Sequence, residues 1–108
     1  MALGRWGERR VARHYESAGY AVIDQNWQVR GGEIDLVLGR GDMIVFCEVK
    51  TRSSTRFGSG FEAVDGRKQR FLRRTAMSWL DVHDRRGNLR FDVATVIGPT
   101  IEVIEGAF

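Results

Sequence analysis

The segment GEIDLVLGRGDMIVFCEVKTR, residues 32–52, constrains the fold more tightly than any other part of the chain. Two apolar runs of strand length flank Arg40-Gly41-Asp42, and a glycine between such runs is the signature of a β-hairpin. Yet the runs carry Glu33, Asp35, Glu48 and Lys50 in their middles. Side chains alternate faces along a strand, so Glu33, Asp35 and Val37 are expected on one face and Ile34, Leu36 and Leu38 on the other. In the second run Ile44, Phe46, Glu48 and Lys50 oppose Val45, Cys47 and Val49. A loop with an even number of residues sets Asp35 opposite Phe46 or Glu48, and either choice gathers Asp35, Glu48 and Lys50 on one face. An odd loop without a bulge would scatter them.

Two accounts of these charges stay open at this level. Antiparallel sheets commonly leave one face to solvent, where charge is unremarkable. Against that, Ile44 and Phe46 precede Glu48 on its own face, which a helix would then have to cover. Two carboxylates about 4 Å apart repel by roughly 1–4 kcal/mol depending on the effective dielectric, and partial burial adds a desolvation cost. A divalent cation offsets both. One Asp and one Glu, with water and substrate completing the shell, suit Mg²⁺ or Mn²⁺. There is no Cys/His set for zinc; His14 and His83 stand alone and read as surface or packing residues. Such a metal lowers the pKa of a water and neutralises charge developing on a phosphate, and the neighbouring Lys50 ammonium can orient the nucleophile or stabilise the transition state.

The rest of the chain supplies layers for this hairpin. Leu3, Val11, Ala12, Tyr15 and Ala18 recur at helical spacing over residues 3–18, with Gly19 as the stop. Glu8 falls on the same stripe, either favoured by the helix dipole near the start or placed there for chemistry. YAVIDQNW (20–27) reads as a first strand. TRSSTRFGSG, after Lys50, has the composition of a surface loop. From Asp65, an N-cap candidate, to His83, a second helix places Phe71, Leu72, Thr75, Ala76, Trp79 and Leu80 on one face, with Lys68 on that stripe one turn earlier. RFDVATVI (90–97) and TIEVIE (100–105) read as two closing strands. The order is α-β-β-β-α-β-β, an α/β chain of 108 residues expected to form one domain, 1–108. Cys47 is the only cysteine and reads as a buried packing residue. Trp6, Trp27 and Trp79 read as core or partly buried anchors.

Charge is distributed unevenly. Residues 50–90 hold 11 basic against 4 acidic groups, a net +7 within a chain of net +3. Such a block is either a solvated helix face or a surface for phosphate backbones. Fifteen of the 17 basic residues are arginine; the two lysines are Lys50 and Lys68, and a position kept as lysine can need a compact ammonium rather than a planar fork. Neither a membrane span nor a signal peptide is visible, which predicts a cytoplasmic protein without a membrane partner.

GEIDLV followed by EVK, with Glu48 13 residues after Asp35, resembles the PD-(D/E)xK nuclease superfamily. The whole chain, with ARHYESAGY, Asn26-Trp27 and Arg30, VFCEVKTR, Ala63-Val64, RKQR (67–70) and RFDV, looks like the YraN-type family of predicted endonucleases. The resemblance implies a three-layer restriction-endonuclease-like core, a mixed sheet of about five strands between helices, related to archaeal Holliday-junction resolvases. It implies Asp35 and Glu48 as metal ligands, Lys50 as the catalytic lysine, and Glu8 as the helix-borne acid that completes many such sites. The Pro-Asp opening of the superfamily motif is absent, since Ile34 precedes Asp35. Lys68 and Gln69 resemble positions that approach the scissile phosphate. The expected activity is Mg²⁺- or Mn²⁺-dependent hydrolysis of DNA, with any preference for branched or junction DNA implied by the resemblance alone. Arg52, Arg56, Arg67 and Arg70, with the loop 53–60, would hold the backbone. The alternative is a nuclease fold that binds nucleic acid or a protein partner without cutting. Symmetric cutting of two strands would call for a homodimer. Asp92 fits either a further site residue or a structural partner of an arginine.

Overall fold

The computed structural model describes residues 2–52 and 65–108. Helix α1 (Ala2–Ser17) is followed by β1 (Ala21–Val29), β2 (Gly32–Arg40) and β3 (Met43–Arg52), then α2 (Gly66–His83), β4 (Asn88–Ile97) and β5 (Thr100–Ile104), which is the expected order. The five strands form one sheet in chain order. β3 and β4 pair in parallel and the other neighbours antiparallel, so the sheet is mixed. A parallel pair needs a long crossover, and α2 lies within it. Among the described residues no helix is long and apolar enough to cross a membrane. Arg56 and the loop 53–60, assigned above to backbone contact, lie outside the described residues.

The helices cover opposite faces of the sheet. Val11, Ala12 and Tyr15 of α1 pack with Leu36, Leu38, Val45, Cys47, Ala94 and Val96. Ala76, Trp79 and Leu80 of α2 pack with Ile34, Val37, Ile44, Phe46 and Phe91. Full burial of a large apolar side chain of this kind is worth roughly 1.5–3 kcal/mol, and this burial is what docks both helices on the sheet. Asp65 caps α2 as expected, its carboxylate accepting the Lys68 N–H at 2.9 Å, and Asp84 ends the helix in the left-handed conformation.

Two expectations are corrected. Ile34 was expected beside Leu36 and Leu38 but packs under α2 with Val37. The β1–β2 pairing runs through Gln25↔Leu36 and Trp27↔Ile34 and skips Asn26, which lies across from Asp35 and has φ 50°. That left-handed residue breaks the alternation at Asp35, and Glu33 ends up bordering hollows on both sides of the sheet. Phe71 was expected on the buried stripe of α2 but is 42% exposed. The covered stripe begins only at Leu72 and Thr75, because the start of α2 overhangs a cleft rather than the sheet.

Asp92 is a structural residue. Fully buried, it accepts hydrogen bonds from the Tyr15 hydroxyl (2.7 Å), Arg90 Nε and Nη2 (2.9 Å each) and the Gly106 N–H (3.1 Å). Arg90 also donates to the Tyr20 hydroxyl at 3.0 Å. Every donor there satisfies the carboxylate, so burial costs it little. Cys47 is buried beside Tyr15, and burial raises its thiol pKa. His83 stacks on Trp79 with ring centroids 4.3 Å apart, a packing role. Asp92→Ala is expected to cost about 3–5 kcal/mol in chemical denaturation, because Arg90 is left facing a hole; a loss below about 1 kcal/mol contradicts this role.

Candidate functional site

The β2–β3 hairpin closes through the two residues Gly41 and Asp42, with Arg40 opposite Met43. The even loop therefore gives the parity that gathers the charged residues. The paired register ends at Leu36↔Cys47, and one step further would set Asp35 against Glu48. There the ladder stops. Asp35 Oδ2 accepts the backbone N–H of Val49 at 2.9 Å, taking a donor that an unbroken ladder would have given to β2.

Parted in this way, the strands open a cleft of about 200 Å³ between β2, β3 and the first turns of α2. Asp35 and Glu48 line it together with Lys68, Phe71, Leu72 and Thr75. Gly32 forms part of its floor, where a Cβ would overlap the Thr75 hydroxyl, so only glycine lets α2 approach this close. On the opposite face Gly7 plays the same part for α1, since a Cβ there would overlap the Thr51 hydroxyl.

The carboxylates are under strain of charge. Burial, and then the charge of Glu48, push the Asp35 pKa up to about 7, opposed by the Val49 N–H; Glu8 and Glu33 add to the rise. Lys68 Nζ lies 2.9 Å from Glu48 Oε1, whose side chain is only 12% exposed. The hydrogen bond that Lys68 donates to Glu48 raises the Lys68 pKa. Burial, and then the charge of Lys68, lower that of Lys50. Asp35, Glu48, Lys50 and Lys68 thus form one electrostatic cluster.

Glu8 occupies a different hollow, of about 220 Å³, with Arg5, Asn26, Gln28 and Glu33. Its Oε1 is buried with no hydrogen-bond partner, and burial raises its pKa, while a hydrogen bond with Asn26 lowers it. Among the described residues no three of His, Cys, Asp and Glu come together as a group that could hold a metal ion. The carboxylates that line the cleft are those of Glu33, Asp35 and Glu48, and carboxylates completed by water fit a hard, oxygen-seeking cation.

Arg52 ends β3 and is exposed; Arg67 and Arg70 are exposed on the first turns of α2, and Gln69 is half-buried beside them. Three contributors were missed in the sequence. Asn26 carried a usable signal, since asparagine is enriched at positive φ. In the sequence Gly32 looks like no more than the first residue of the run GEIDLVL, and the spacing of Phe71 alone places it on the core stripe.

A family model described as "Uncharacterised protein family UPF0102" matches residues 7–96. The chain belongs to the UPF0102 family. The YraN-type resemblance is borne out at this level. UPF0102 relatives align over nearly the whole chain. One from Frankia alni is 51% identical, covering 99% of this chain and 94% of its own length. One from Rhodococcus opacus is 45% identical, with 100% and 97% covered, and one from Acidothermus cellulolyticus 40%, with 99% and 93%.

Because folding raises the Asp35 pKa above its ordinary 3.8, the folded state holds that proton more tightly than the unfolded chain. Stability contributed by this group is present below about pH 4, falls as the pH rises towards 7 and stays lost above it. Asp35→Asn is expected to melt several degrees above the wild type at pH 8 and to lose most of that advantage by pH 4. An equal difference at both pH values contradicts the strained carboxylate.

Proposed function

We propose that this UPF0102 protein is a Mg²⁺- or Mn²⁺-dependent endonuclease that hydrolyses phosphodiester bonds in DNA. One observation carries the proposal: Asp35 and Glu48 converge at the open end of the hairpin, with Lys50 and Lys68 beside them. Such an arrangement is costly for stability, and a cation bound by the carboxylates, with a phosphate bound by the lysines, would relieve it. When bound, the cation supplies Lewis acidity at a phosphate oxygen and a lowered pKa for nearby water. The Lys50 ammonium neutralises charge on the transferring phosphate. Lys68, 43% exposed and held against Glu48, has the reach to change partners from carboxylate to phosphate. Exposed arginines 52, 67 and 70 track the backbone around the cleft. The D…ExK pattern shared with PD-(D/E)xK nucleases and archaeal Holliday-junction resolvases supports the same function, and a cytoplasmic location suits it. Each chain would cut one strand, and a homodimer would cut two.

A second function, binding nucleic acid without cutting it, is favoured by the ion pair that Lys68 makes with Glu48 and by the lack of a three-acid metal group among the described residues. Cleavage of linear duplex, single strand, flap and four-way junction DNA with Mg²⁺ or Mn²⁺ separates the two. The nuclease predicts metal-dependent cutting, reduced about 10²–10³-fold or more in Lys50→Ala and in Asp35→Asn. Tight binding with no cutting under any metal selects the second function, and neither binding nor cutting contradicts both.

A further inference from the structure

We infer that Phe71 is a stacking platform for an unpaired base next to the phosphate-binding cleft, so that the substrate carries a single-stranded or unpaired step at the cutting site. The inference rests on the nucleic-acid function proposed above and narrows its substrate class.

An exposed phenylalanine is by itself ordinary. The placement of this one is not. Among the described residues Trp6, Val29, Met77, Val82 and Leu89 are also exposed large apolar residues, but of these Phe71 alone lines the cleft holding Asp35 and Glu48. It follows Lys68 by three positions on α2, which sets the ring and the ammonium side by side on one helix face. The Arg74 guanidinium lies over the ring, 5.6 Å from its centroid, and Arg67 and Arg70 stand exposed on the same helix. Aromatic rings set among cations that follow a phosphate backbone are how proteins hold single-stranded nucleic acid. A base inside a continuous duplex has both faces covered by its neighbours and cannot reach a ring on a helix; only an unpaired or flipped base can. Charge complementarity favours this occupant over an apolar protein segment, because the charged neighbours of the ring on α2, Lys68, Arg70 and Arg74, are cationic, while the carboxylates across the cleft are the ones the proposed cation would neutralise.

The test uses oligonucleotides carrying 2-aminopurine, whose fluorescence falls on stacking, at an unpaired flap position or at the same position in continuous duplex. Ca²⁺ replaces Mg²⁺ so that binding is read without cleavage. The full chain is expected to bind the flap more tightly than the duplex and to quench its probe. Phe71→Ala should lose the quenching and weaken flap binding about 5- to 150-fold, leaving duplex binding unchanged. Phe71→Trp, which keeps an aromatic face, should restore both. Equal flap binding and quenching by wild type and Phe71→Ala overturns the stacking role and leaves the nuclease proposal standing. Unchanged DNA binding together with loss of self-association in Phe71→Ala assigns the ring to protein contact and overturns the inference. If the wild type binds neither oligonucleotide, the nucleic-acid function itself falls.

Discussion

The bond from the Val49 N–H to the Asp35 carboxylate holds the site open. A hairpin as regular as β2–β3 would otherwise continue its ladder past Leu36 and Cys47 and close the space between the strands. By accepting a strand donor with a side chain, Asp35 satisfies the backbone where pairing stops, and the buried end of the sheet carries no orphaned N–H at that point. The same bond fixes the carboxylate against Glu48, and the repulsion this creates is the main electrostatic tension in the cleft after burial itself. Gly32 and Thr75 set how closely α2 covers the opening, and through α2 they place Lys68 and Phe71 on its rim.

Two aspartates, the half-buried Asp35 and the fully buried Asp92, show the difference between structure and function in one fold. Asp92 is surrounded by donors: one tyrosine side chain, one arginine side chain and a backbone N–H complete its lone pairs, and its burial ties β4 to α1 and to Gly106. Asp35 has one backbone donor and an acid for a neighbour. A carboxylate so under-compensated is tolerated where binding supplies the missing charge, and perturbed groups of this kind cluster in functional clefts. Lys68 illustrates the same economy, since its ammonium neutralises Glu48 in the free protein while remaining close to half exposed.

Much of this was legible in the sequence because it depends on local periodicity. Alternation in GEIDLVL and MIVFCEVK, the glycine turn between them and the helical stripes ending at Ser17 and His83 are short-range signals, and the elements formed where these signals lie. Grouping Asp35 with Glu48 required only the parity of a two-residue loop. The remainder depended on tertiary geometry that periodicity does not encode. Nothing in the spacing of Ile34 reveals that Asn26, on another strand, turns left-handed opposite Asp35 and reverses the faces beyond it. Phe71 fits the α2 stripe perfectly well in projection, yet the sheet does not extend beneath it. Glu8 was correctly placed on the inward stripe of α1, but which hollow it enters follows from the close approach of Gly7 to Thr51.

The central claim is that Asp35 is a strained carboxylate held ready for a cation, and the most direct measurement is a carbon-13 NMR titration of its carboxyl group with and without Mg²⁺. The account predicts a midpoint near 7 in the absence of metal, displaced downward by Mg²⁺ because the cation favours the charged form. A midpoint in the ordinary carboxylate range that Mg²⁺ leaves unmoved would contradict it.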